Sequence, residues 1–263
     1  MNLRLNAQSA LLIALLYPIL AVVAGLLARI LFGSVPAQGD TNIYEFIGIG
    51  MYGTIITSIV LIFVSVYVFK GSRNDIYFER KPFSLSPLYY LFPLVLVGVT
   101  LFALFNVDWS AYSVDVVLLV ILATLAIGFN EEVVTRGILL VGLRNSRVAE
   151  WLVFVITLAV FSLYHLVNLL SGGSLMVLLV TFTGGVIYYI SRRVFNNLFA
   201  PIALHAFYDT GFFLLPGSTV AGADLPDNVL DVQFGAFLIV LVASIVFLIF
   251  GRKLLRDETV GWA

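Results

Sequence analysis

The chain has 263 residues, 61% hydrophobic and only 11% charged, with a net charge of −1 and a mean hydropathy of +1.08. Soluble domains usually carry about a quarter of their residues as charges, so a water-exposed globular surface is excluded and lipid is the expected solvent. The lack of cysteine excludes disulfides, thiolate chemistry and Cys-held metals, and the near-neutral balance offers no basic surface to a nucleic-acid partner.

Apolar runs between polar breaks predict an all-α fold, a polytopic integral membrane bundle of about eight transmembrane helices in a single domain, 1–263. Roughly 20 apolar residues cross a bilayer core. The candidates lie near 8–32, 46–69, 87–105, 114–142, 148–170, 174–191, 195–216 and 232–251. The first run is too long, and followed by too many others, to read as a cleaved signal peptide. Arg4, then Lys70, Arg73, Arg80 and Lys81, then Arg144 and Arg147, then Arg192 and Arg193, and last Arg252, Lys253 and Arg256 fall on alternate sides of these spans. The opposite breaks hold Asp40, Glu45, Asp108, Asp224 and Asp227 with no Lys or Arg. The positive-inside rule then puts both termini and the basic loops in the cytoplasm. Such a bias suits a prokaryotic plasma membrane, and an endoplasmic reticulum membrane obeys it too.

Ionisable residues inside the spans are few. The fourth span carries Glu131, Glu132 and Arg136 in NEEVVTRG, the fifth Phe161 and His165 in FSLYH, the seventh His205 and Asp209 in HAFYD. A charge at membrane depth costs from about 2.5 kcal/mol upward and faces a bundle interior or a wet cavity. At 1.5 Å rise per residue from the basic flanks, Glu131 lies roughly 20 Å deep, His205 roughly 18 Å and His165 roughly 27 Å. Tilt must therefore level the three helices around one cavity. Glu132 and Arg136 are spaced i,i+4, which predicts an ion pair. Glu131 points about 100° away from its neighbour and is left for chemistry. His205 and Asp209 share the same spacing, so the carboxylate either fixes an imidazole tautomer or faces the same cavity. Phe161, on the face of His165, shapes the pocket. Asn130, Tyr164 and Asn168 read as local hydrogen-bonding groups or cavity lining, and Gly184–Gly185 as a place of close helix packing.

One carboxylate and two imidazoles in a restricted wet cavity are the parts for activating water. Glu131 takes the proton, His165 orients the water, and His205, with Asp209, stabilises the oxyanion or protonates the leaving group. Glu131, His165 and His205 also have the composition of a two-His, one-carboxylate zinc site, and spacing alone leaves metal-dependent and metal-free hydrolysis both open. A proton-coupled transporter uses the same residue types, but would spread them along a through-pathway, often with repeat symmetry. A non-catalytic immunity or scaffold protein of the same fold is the other alternative.

EEVVTR at 131–136, FSLYH at 161–165 and HAFYD at 205–209 resemble the EExxxR, FxxxH and Hxxx(N/D) motifs of the CPBP family. These are the CAAX-processing and bacteriocin-processing intramembrane proteases, also called Abi or Rce1-like. The resemblance covers roughly residues 85–216, the expected catalytic core, with two helices before it and one after. It implies an eight-helix endopeptidase with its site within the bilayer. Glu131 then matches the water-activating glutamate, Glu132 its acidic neighbour, Arg136 the motif arginine, His165 the second-motif histidine and His205 the oxyanion-stabilising histidine. Asp209 stands where the eukaryotic prenyl-protein proteases have asparagine, and an ionised carboxylate cannot donate to an oxyanion. The resemblance implies membrane-associated protein or peptide substrates, lipid-modified in CAAX-type C-terminal processing. It leaves zinc and a metal-free glutamate mechanism both open.

Overall fold

The computed structural model describes residues 5–32, 43–80, 87–166, 175–215 and 227–250. Helix α1 (Ala7–Phe32) starts at a reciprocal cap. Asn6 Oδ1 accepts the Ser9 N–H at 3.0 Å, and Ser9 Oγ accepts the Asn6 N–H at 3.1 Å. Helix α2 (Ile43–Phe63) runs on as a π-helical turn, Val64–Val68. Gly25 and Gly53 let α1 and α2 cross in close contact, since a Cβ on Gly53 would lie 3.0 Å from Gly25 Cα. The short α3 (Arg73–Tyr77) precedes α4 (Leu91–Phe105) and α5 (Val114–Glu132). α5 continues unbroken through a buried π-helix, Val133–Leu139, into α6 (Leu140–Asn145). Then come α7 (Glu150–Tyr164), α8 (Met176–Phe195), α9 (Phe199–Phe213) and α10 (Asp227–Phe250).

Lipid is the solvent for the outer helices. On α1, Leu12, Leu15, Ile19, Val22, Leu26 and Ile30 are all exposed, an apolar surface that a water-soluble protein does not leave bare. The span windows of α1, α2, α4 and α5 are only 17–28% buried, whereas that of Val177–Phe195 in α8 is 67% buried. α8 is therefore the inner helix that the others wrap. The chain is an integral membrane protein.

Five helices among the described residues, not the expected eight, are long and apolar enough to cross a membrane: Ala7–Leu31, Met51–Val68, Pro87–Phe105, Val114–Asn145 and Val177–Phe195. The expected spans at 148–170 and 195–216 fail on helix length. α7 and α9 have 15 residues each, roughly 22 Å, against a hydrocarbon core of about 30 Å. α10 is itself 24 residues long, and within it Asp231–Ile245 forms a shorter apolar stretch. Hydropathy counts apolar residues but does not register where a helix stops. α7 is capped by His165 at φ −86°, ψ 2°, and the chain turns at Asn196, φ 57°, before α9 begins. The argument that placed both termini in the cytoplasm rested on eight crossings and goes with that number. Residues 167–174, including Asn168, lie outside the described residues.

The basic residues between spans need a second correction. Arg144, Arg192 and Arg193, placed by the sequence in loops between spans, are 3%, 0% and 5% exposed. The carboxylate of Glu79 gathers all three, at 2.9 Å, 2.7 Å and 2.7 Å respectively, and Arg144 also pairs with Glu150 at 2.5 Å. Burial pushes the Glu79 carboxyl up, but the guanidiniums of Arg144, Arg193 and Arg192 override it and hold it well below the ordinary range. Arg192 further donates to the carbonyls of Asp75 at 2.7 Å, Ile76 at 2.8 Å and Arg136. Buried ion pairs thus clamp the segment after α2 onto α6 and α8, and Arg192 reaches on to the π-helix through the Arg136 carbonyl.

Candidate active site

Four helices converge on one buried polar cluster, and small residues set how closely they approach. A Cβ on Gly128 of α5 would lie 3.1 Å from the Ile202 carbonyl oxygen, 3.2 Å from the Ala206 nitrogen and 3.3 Å from His205 Cβ. Glycine there brings the acidic end of α5 against His205 of α9. On the other flank Asn130 ties α5 to α2, donating to the Thr54 carbonyl at 3.0 Å and accepting from Ser58 Oγ at 2.7 Å. Tyr164 joins α7 to α1 through a 2.9 Å bond from its hydroxyl to the Ala14 carbonyl.

Glu132 and Arg136 form the i,i+4 pair at 2.9 Å, with both side chains fully buried. The pair sits where α5 passes into the π-helix, a helical form often found at functional sites. Arg136 also donates to Thr135 Oγ1 at 2.9 Å and to the Gly185 carbonyl at 3.0 Å, and lies 4.2 Å over the Phe161 ring. A Cβ at Gly185 would meet Arg136 Nη2 at 2.8 Å, so this glycine makes room for a guanidinium as well as for a helix.

His205 is the hub. Its Nδ1 lies 3.1 Å from Glu132 Oε1, the oxygen that also receives Arg136. An ionised carboxylate only accepts, so Nδ1 carries the proton and donates. Nε2 faces the other two carboxylates, 3.5 Å from Asp209 Oδ2 and 3.9 Å from Glu131 Oε2. Of the two readings of the His205–Asp209 spacing, the tautomer is held by Glu132, and Asp209 faces the same space as Glu131. His165 donates from Nδ1 to the Phe161 carbonyl at 3.1 Å, which in neutral imidazole leaves Nε2 as an acceptor. The two imidazoles flank one phenyl ring, with Phe161 centred 5.3 Å from His165 and 5.7 Å from His205.

Glu131, Glu132, Arg136, Phe161, His205 and Asp209 thus share one cluster, with His165 joined to it through Phe161. Two members gave no signal in the sequence. Tyr188 stacks on His205 at 4.6 Å and 16°, and the Gly185 carbonyl accepts from Arg136. Both lie on α8, whose apolar stretch carries no ionisable group until Arg192. A tyrosine three residues after a glycine is no motif in itself.

Glu131 Oε2, Glu132 Oε2 and Arg136 Nε are buried without a hydrogen-bond partner among the described residues. Glu131 also borders a cavity of about 120 Å³ between α1, α2 and α5. Among the described residues, no group of three His, Asp or Glu side chains is arranged to hold a metal ion. The zinc reading of Glu131, His165 and His205 therefore meets no ligand cluster there.

Residues 113–211, from the start of α5 to near the end of α9, match the sequence profile of the family described as Type II CAAX prenyl endopeptidase Rce1-like. Over those residues the chain is similar to the Rce1-like family. The Rce1-like segment contains every member of the cluster described above. It also lies inside the 85–216 that the resemblance covers. No curated protein and no solved structure matches the chain. The similarity is to a family described as CAAX prenyl endopeptidases.

Proposed function

We propose that the chain is an intramembrane endopeptidase that hydrolyses peptide bonds in membrane-associated proteins or peptides. The observation that carries this reading is the pairing of Glu131 Oε2, buried without a partner, with His205 Nε2 at 3.9 Å. That separation is beyond a hydrogen bond, so the carboxylate oxygen is free to accept from water. Glu131 takes a proton from the water as it attacks the substrate carbonyl. His165 Nε2 accepts the water's other proton in a hydrogen bond and orients it. His205, whose Nδ1 proton is held by Glu132, receives at Nε2 the proton that Glu131 took from water and passes it to the leaving amine as the C–N bond breaks. Asp209 stabilises the imidazolium so formed, because as a carboxylate it cannot serve as an oxyanion donor. Glu132 and Arg136 hold His205 in register.

The finer reading is C-terminal processing of CAAX type on a lipid-modified substrate, with residues 85–216 as the catalytic core. Purified protein in liposomes, offered matched prenylated and unprenylated peptides with products read by mass spectrometry, tests both levels. Cleavage by wild type and its loss in Glu131→Gln is the expected result. Equal turnover by the mutant overturns the mechanism, and indifference to the prenyl group overturns the finer activity alone.

A further inference from the structure

The cavity beside Glu131 is walled in part by α1 and α2, helices that precede residues 113–211. Tyr17 from α1, Thr54 and Thr57 from α2, and Asn130 and Glu131 from α5 all line it. Each of these polar residues lies in a helix long and apolar enough to cross a membrane. A polar group at such depth costs free energy unless it is hydrogen-bonded, and protein neighbours satisfy this set only in part. Thr57 Oγ1 gives its one proton to the Gly53 carbonyl at 3.0 Å, which leaves the oxygen able to accept. Asn130 donates one N–H to the Thr54 carbonyl at 3.0 Å and accepts from Ser58 Oγ at 2.7 Å, which leaves its second N–H to donate. Glu131 Oε2 has no partner among the described residues. The Tyr17 ring packs 5.1 Å from that of Tyr164, whose hydroxyl is tied to the Ala14 carbonyl at 2.9 Å. That brace orders the ring, and with it the hydroxyl that α1 brings to the recess.

A volume of about 120 Å³ has room for roughly four waters at about 30 Å³ each. Apolar cavities stay dry, whereas a cavity that offers each water a few polar partners fills. Glu131 belongs both to this recess and to the site, for its Oε2 also stands 3.9 Å from His205 Nε2. We propose that the recess stores the water that Glu131 activates, and that Tyr17, Thr57 and Asn130 position it there. The proposal rests on the endopeptidase reading and gives it a source for its second reactant, since the hydrocarbon core around a membrane-bound peptide holds no water. Each cleavage consumes one molecule. Its proton passes to the Glu131 carboxylate, its oxygen bonds to the substrate carbonyl carbon, and a neighbouring water of the recess moves up. The two helices that precede the family-like segment thereby become part of the catalytic apparatus. Gly25 also lines the recess, and a Cβ added there meets nothing within 4 Å, so a side chain at this position displaces water rather than protein.

The first test needs no turnover. In protein with labelled isoleucine methyls, held in phosphatidylcholine nanodiscs, the methyl of Ile127 on the recess wall is expected to show a nuclear Overhauser effect from water. Ile127→Val identifies the signal, and Gly25→Val should abolish the effect. Its absence in wild type overturns the stored water. The second test is kinetic, with one peptide substrate in the same membranes. Gly25→Val is expected to lower kcat about tenfold with KM little changed. Tyr17→Phe and Thr57→Val, which keep shape and remove a hydroxyl, should each lower kcat several-fold in the same way, with unfolding temperatures near that of wild type. Gly25→Ala, the smaller insertion, should give a smaller fall and serves where the valine variant does not fold. A change in KM alone, or in neither constant, overturns the supply role and leaves the endopeptidase reading standing. A water signal at Ile127 in a wild type that cleaves no peptide rejects the endopeptidase reading and keeps the hydrated recess.

Discussion

Glu132 Oε1 stands 3.1 Å from His205 Nδ1, and the same oxygen carries the 2.9 Å ion pair to Arg136. One carboxylate thus fixes both the buried arginine and the orientation of the imidazole. Its neighbour Glu131 lies no closer than 3.9 Å to His205, and both acids keep one oxygen, Oε2, without a partner among the described residues. Adjacent acids on one helix thus differ in surroundings, since two partners hold Glu132 Oε1 and Glu131 has no such close contact with His205.

Removing one partner of a buried pair leaves an uncompensated charge, at a cost of about 3–5 kcal/mol. Glu132→Ala is expected to destabilise the protein on that scale, and Glu132→Gln by less, since the amide oxygen still accepts from Arg136. Thermal unfolding in detergent measures it. The double change Glu132→Gln with Arg136→Gln should recover stability relative to Glu132→Ala without recovering peptide cleavage, because His205 has lost its ionised acceptor.

Glu131→Gln should behave in the opposite way. The side chain is 15% exposed and makes no ion pair closer than 3.9 Å, so the unfolding temperature is expected to stay within a few degrees of wild type. Loss of a general base lowers turnover by about 10²–10⁴-fold. A mutant that unfolded early would return Glu131 to a structural role.

Gly128→Ala presses a methyl against backbone atoms at 3.1 Å and 3.2 Å. α5 and α9 must separate by a few tenths of an ångström, carrying Glu131 away from His205. Catalytic geometry is sensitive on this scale, so kcat is expected to fall about tenfold with KM little changed. A steady-state comparison with wild type checks the split.

Tyr188 stacks on His205, and an aromatic pair is worth about 0.5–1.5 kcal/mol beyond burial. Tyr188→Phe should keep most of the activity, whereas Tyr188→Leu should lose several-fold. The pH–rate profile of the leucine variant should also shift, because the imidazole loses the ring that orders it.

Glu79 links folding to pH. Its carboxyl is held below the ordinary 4.5 by Arg144, Arg193 and Arg192 despite burial. A depressed folded pKa stabilises the native state fully above the unfolded value, and the contribution drains away as pH falls through the folded one. Wild type should therefore lose unfolding temperature steeply below about pH 4.5, while Glu79→Gln, already less stable at neutral pH, should show a shallower acid slope. Parallel slopes for the two proteins would show that the cluster does not carry the acid response.

Much of the site was legible because charge in an apolar run is costly wherever the run folds. That cost singles out Glu131, Glu132, Arg136, His205 and Asp209, and helical spacing alone pairs Glu132 with Arg136. Spacing within one helix says nothing of partners on another. It left open whether Asp209 or a second helix orients His205, and it passed over Tyr188, an aromatic residue in an aromatic-rich chain. It also read Arg144, Arg192 and Arg193 as loop residues, since their proximity to a hydrophilic break is visible and their convergence on Glu79 is not.

Sequence by itself determined the solvent, the helical class and the residue types able to activate water, because composition and burial cost are properties of residues taken one at a time or along one helix. Tertiary structure decided the rest. Helix ends at His165 and Asn196, which hydropathy does not detect, cut the spans expected at 148–170 and 195–216 short, and five candidate spans remain among the described residues. Close approach at Gly128 set which carboxylate meets which imidazole nitrogen. The crossing of α1 and α2 at Gly25 and Gly53 helped form a recess beside Glu131. Each of these depends on distances between helices far apart in the chain, and no local pattern encodes them.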